Sequence, residues 1–158
     1  MTSLYQAMLS QAISGQMLSV REVSQFTAAE IRQTLAELVT ADQMALADAL
    51  AAAGQSLYPE SEDILSISAL LCEIKRDWVG AEDLLIKLIS VQNQVATPFT
   101  WQHLIRVQRC QLEDSKALMS AKQALQHHPD DAALNNEFLA LKEMVSDQLP
   151  VNTSKQVH

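Results

Sequence analysis

The sequence predicts an all-α protein built as a short array of helix–turn–helix repeats, and four observations carry that expectation. Alanine, leucine, glutamine and glutamate recur, all of which favour helices. With 3 Gly, 4 Pro and 4% aromatics among 158 residues, the chain lacks the turns and strand formers of an all-β fold. Four helix-start signals then stand in near register, at Thr27, Ser61, Thr97 and Asp131, spaced 34, 36 and 34 residues apart. A period of about 34 residues is the length of one helix–turn–helix repeat. Finally, Ala117, Ala121 and Ala124 fall on one helical face, where small side chains let two helices approach closely.

The elements follow in chain order. Residues 1–26 read as an N-terminal helical extension, with Tyr5, Leu9 and Ile13 at helical spacing and a candidate capping box from Ser19 to Glu22. The extension caps the array, fills its face or pairs two copies. The array spans 27–146. Its first unit, 28–61, opens on "TAAE", a capping box from Thr27 to Glu30. The second, 62–97, opens on Ser61 with Glu62 and Asp63 in the first turn, where the helix dipole favours acids. Its first helix, "DILSISALLCEI", carries Ile64, Leu65, Ile67, Leu70, Leu71, Cys72 and Ile74. Those residues surround the helix, whereas a surface helix needs only one apolar face. The third unit, 98–131, has Thr97 as cap and Pro98 at the first helical position. Pro129 ends its second helix. Asp131 opens a closing helix, 132–146, with polar Asn135 and Asn136 where an apolar anchor would begin. The tail 147–158, "DQLPVNTSKQVH", is polar and expected to be flexible.

Charge and motifs narrow the function. The formal net charge is -8, which argues against a large basic face for nucleic acid. It is unevenly spread: -7 over 1–97, +2 over 98–128 and -3 over 129–158. The N-terminus has no early positive charge and no continuous apolar core of a secretory signal, and no run is long enough to cross a membrane. A soluble, cytoplasmic protein is expected, and the "NTS" at Asn152 carries no weight as a glycosylation site. Cys72 and Cys110 sit in apolar helical runs and read as two buried thiols. No phosphate loop, GxSxG or HExxH is present, so no enzyme activity, cofactor or metal site is expected. His127 and His128 are adjacent and diverge by about 100° on a helix, which rules out convergence on one metal. Acidic pairs such as Glu82–Asp83 read as solvated surface.

The third unit resembles the tetratricopeptide-repeat family, with Trp101, Leu104, Ala117, Ala124 and Pro129 in the signature slots. Ile105 stands in place of the usual glycine and Gln108 in place of the tyrosine. In the second unit Trp78 and Ala81 match, but Asn93 replaces the closing proline. In the first, Ala47, Gly54 and Pro59 match, with no aromatic supporting the turn at Met44. The resemblance covers residues 28–145 and implies a right-handed solenoid of about three repeats, closed by a capping helix.

The resemblance further implies that the first helix of each unit lines a concave groove. Arg32 and Ala36 come from the first unit. The second adds Asp63, Ser66, Ile67, Leu70 and Ile74. The third adds Phe99, Gln102, His103, Arg106 and Arg109, giving an apolar middle and a basic far wall. The partner-binding set is Arg32, Ile67, Leu70, Ile74, Phe99, Gln102, Arg106 and Arg109. In the second unit, Leu65 and Cys72 are expected against the unit's own second helix, and Ile64 and Leu71 against a neighbouring unit. Ile67, Leu70 and Ile74 are left as a third face that something else must cover. Such a groove suits a helix or an extended peptide of a protein partner, with apolar anchors and acidic groups. In size, acidity and repeat layout the chain resembles the small cytosolic chaperones of bacterial type III secretion systems, which bind secreted subunits before export. A general adaptor in a regulatory or assembly complex, and a self-associating homodimeric structural subunit, are the alternatives.

Overall fold

The computed structural model describes residues 3–15, 18–93 and 96–148; the expected tail from 149 onward, Asn152 included, lies outside them. Among the described residues there are nine helices and no strand. They divide into two compact units. The first, 1–96, holds α1 (Leu4–Ile13), α2 (Val20–Val23), α3 (Ala28–Thr40), α4 (Met44–Leu57), α5 (Glu62–Ile74) and α6 (Trp78–Gln92). The second, from 97 onward, holds α7 (Pro98–Cys110), α8 (Asp114–His127) and α9 (Ala132–Gln148). No helix of the described residues is long and apolar enough to cross a membrane.

Side-chain caps start the helices. The Glu30 amide donates to Thr27 Oγ1 at 3.2 Å, and the Thr27 amide donates to Glu30 Oε2 at 2.7 Å. Ser19 and Glu22 repeat that reciprocal pair at 3.3 and 2.7 Å. Ser61 accepts from the Ile64 amide, Thr97 from the Thr100 amide, and Asp131 from the Leu134 amide. Each cap satisfies a donor that helix geometry leaves without a partner.

The turns inside the helix pairs are copies of one another. A non-glycine residue in the left-handed region follows α3, α5 and α7: Asp42 at φ 57°, Arg76 at 59° and Leu112 at 61°. The next amide then reaches five residues back, Gln43 to the Leu38 carbonyl, Asp77 to Cys72 and Glu113 to Gln108, at 2.8, 2.8 and 3.0 Å. This closure satisfies the last carbonyls of each helix and reverses the chain into the next. Between pairs, Tyr58-Pro59 and His128-Pro129 make matching turns, with Tyr58 at φ -129° and His128 at φ -134°. A residue before proline avoids the helical region, which ends α4 and α8 there. Asn93 has no following proline, and it takes φ 54° instead.

In the first unit the core runs through α1–α5, with Ile31, Leu35, Leu38, Leu50 and Ile64 buried. Gly54 is where α4 comes closest to its neighbours. A methyl there would meet Ile64 Cδ1 at 3.2 Å and Ile31 Cγ2 at 3.3 Å. In the second unit Ala117, Ala121 and Ala124 are completely buried on α8, and Leu134 and Leu141 on α9. The Trp101 ring stacks on His127 with centroids 6.4 Å apart. Asn135 turns its amide onto the Pro129 and Asp131 carbonyls, so a polar residue at an anchor position satisfies its own turn.

Tyr5, Leu9 and Ile13 all fall on α1, as their helical spacing suggested, while its buried side is Leu4 and Met8 and Ile13 is 89% exposed. Two expectations are corrected. Cys72 is half-buried and Cys110 exposed, because Cys110 falls four residues after Arg106 on the outward side of α7. Glu82 is buried and only Asp83 is exposed, since position 82 belongs to the inward row of Ala81, Leu85 and Leu88.

Candidate functional site

The residues expected to bind a partner fall in both units, and each unit presents its own set. In the second, Gln102, Arg106 and Arg109 are four and three residues apart on α7 and share one face. They line an open cavity of about 650 Å³ together with Cys110, Leu112 and Asp114. Its opposite wall is Ala133, Glu137 and Met144 of α9. Arg109 Nη1 donates to Glu137 Oε1 at 2.6 Å, and its second nitrogen lies 3.9 Å from Met144 Sδ. Asp114 accepts from Gln148 Nε2 at 3.0 Å. The sequence suggested a basic wall. The structure pairs Glu137 with Arg109 and adds Asp114 to the lining, so the lining is mixed in charge.

Phe99 stands apart from this cavity. It is 75% exposed at the start of α7, with its ring 6.3 Å from that of His103. His103, expected on the lining, is itself buried.

In the first unit, Arg32 of α3 donates to Asp63 of α5 at 2.8 Å, and both side chains remain largely solvated. An exposed pair of this kind contributes about 0–1 kcal/mol, so it orients Arg32 more than it stabilises the fold. Ile67 is half-buried against the core. Leu70 and Ile74 are 42% and 49% exposed on the same side of α5. The other faces of α5 are spoken for: Ile64 and Leu65 are buried, as is Leu71, and Ile64 packs at Gly54 on α4. The N-terminal helices pack elsewhere, α1 on α3 and α2 on α4, burying Leu4, Met8 and Val23. They leave Leu70 and Ile74 uncovered.

Sequence reasoning missed Asp114, Leu112, Ala133, Glu137 and Met144. For α9 a signal existed. Leu134, Glu137, Leu141 and Met144 are spaced three, four and three apart, which places Glu137 and Met144 on the buried side of that helix. Among the described residues no group of three or more His, Cys, Asp or Glu side chains converges as metal ligands would. The site offers guanidinium, carboxylate, amide and apolar surface without an activated nucleophile, which is equipment for recognition.

No protein-family model matches the chain, and no characterised protein matches it significantly.

Proposed function

We propose that the chain is a short tetratricopeptide-like repeat protein whose first helices bind a helix or an extended segment of another protein. The observation that carries this reading is the pair Leu70 and Ile74, left open on a helix whose remaining sides are packed. Large apolar side chains grouped on one helix face mark an interaction surface more often than scattered ones do. The cavity beside Arg106 and Arg109 adds a polar, mixed-charge patch at equivalent positions of α7.

The repeat geometry has its own support. Caps at Thr27, Ser61, Thr97 and Asp131, and left-handed turns at Asp42, Arg76 and Leu112, recur with the same 34- and 36-residue spacing. Apolar anchors suit the open side of α5, and polar or charged groups of both signs suit the cavity on α7.

Light scattering combined with size-exclusion chromatography separates this reading from self-association. A monomer at high concentration, with a heterologous complex when the partner is added, is the expected result. A stable dimer that Leu70→Asp converts to monomer would replace partner binding by pairing of two copies.

A further inference from the structure

A second apolar feature lies on the first unit, away from every residue of the proposed partner face. Between the N-terminal helices and the outer side of α4 is an open cavity of about 280 Å³. Met8 of α1, Leu18, and Val23 of α2 form one wall, and Leu46, Leu50 and Ala53 of α4 form the other. Among the described residues no lining residue is charged, and the only side-chain polar group on the lining is the Ser56 hydroxyl. Its walls are continuous with the core, since Met8, Val23 and Leu50 are all buried.

Apolar side chains that face an open hollow of this size lack the close contacts of a packed interior, which a bound molecule would supply. An apolar cavity of about 150 Å³ stays dry and takes up benzene. On that scale, about 280 Å³ accommodates roughly ten carbon atoms. Charge narrows the class further. A carboxylate or ammonium in such a lining would lose its hydration with no opposite charge to meet it. A neutral hydroxyl or ester has Ser56 as a partner at the edge.

We propose that this cavity binds a small uncharged molecule with an apolar body of about ten carbons and one neutral polar end. The site does not depend on the partner face, because α1, α2 and α4 carry none of its residues.

Fluorescence titration with 1-naphthylamine, a ten-carbon aromatic with one amine that is neutral at pH 8, tests it on the full chain. The wild type should bind the probe one to one. 1-Decanol should displace it, and decanoate at pH 8 should need at least about tenfold more to do so, because its charge finds no counter-ion. Val20→Asp puts a charge on the exposed rim, and Ala52→Leu narrows the entrance from an exposed position. Each should weaken probe binding at least about tenfold at an unchanged melting temperature. Should one variant melt lower, the other decides. Absence of one-to-one binding, equal displacement by decanol and decanoate, or binding untouched in a stably folded variant would each overturn the proposal.

Discussion

Glu30 illustrates what one side chain does in this fold. The Thr27 backbone amide, then its hydroxyl, donates to the carboxylate and holds its pKa below the ordinary glutamate value. A pKa lower in the folded than in the unfolded chain gives stability that is complete above the ordinary value and is lost as pH falls through the folded one. The contribution of the α3 cap should therefore be complete above the ordinary glutamate pKa and be lost as pH falls below it. A carboxyl NMR titration should place the Glu30 midpoint below about 4.3, and Glu30→Gln should remove that part of the acid dependence. A midpoint at or above the ordinary value would contradict the bonding described. The two cysteines give a second test. Burial, and then the nearby Asp77 carboxylate, pushes the Cys72 thiol above its ordinary pKa, while Cys110 is exposed. Since the thiolate is the reactive form, iodoacetamide at pH 8 should label Cys110 at least about tenfold faster, as read by peptide mass spectrometry. Equal rates would contradict the burial pattern. The sequence placed both thiols among apolar neighbours and so suggested burial for both. Which face a residue takes depends on the helical period, and adjacent residues do not report it.

Among the elements, helix starts were far more legible than helix ends. A cap is chemistry between residues three apart, so Thr27, Ser61, Thr97 and Asp131 could be read directly. The inner turns carried no glycine signal, because Asp42, Arg76 and Leu112 occupy the left-handed position that glycine usually marks, and only the repeat resemblance located them. Leu112 is 86% exposed and loses little packing when truncated. Leu112→Gly should thus stabilise the protein by about 0.5–1 kcal/mol in urea denaturation, the relief of the side-chain clash outweighing the added freedom of the unfolded chain. A loss of stability would mean that the leucine makes contacts the structure does not show. Gly54 has the opposite character. Ile64 and Ile31 stand just beyond where its first side-chain carbon would be. Gly54→Leu should cost about 1–3 kcal/mol by overpacking, despite the better helix propensity of leucine. An unchanged midpoint would show that α4 can shift away from α3 and α5.

At the scale of the whole molecule, the repeat spacing was legible and the composition of the site was legible in part. Gln102, Arg106 and Arg109 were expected on one lining only through the resemblance to tetratricopeptide repeats, and the structure brings them to one cavity. The excess of apolar residues on α5 likewise pointed to Leu70 and Ile74. The carboxylate that pairs with Arg109 was not legible, because Glu137 reaches it from 28 residues further along the chain. Only the fold, which sets α9 across the cavity from α7, makes that pair. The units divide near Asn93, where the proline that closes the other two helix pairs is missing. The central claim is that the first helices bind another protein through the open side of α5. A quantitative affinity purification from the native cell, comparing the wild type with Leu70→Asp, tests it most directly. Leu70 is partly solvated, so the variant should keep its helical circular dichroism and melt within a few degrees of the wild type. The account predicts a specific partner with the wild type and at least about a tenfold loss with Leu70→Asp, the scale on which a buried apolar anchor contributes. Equal recovery of the same partner by both proteins would contradict it.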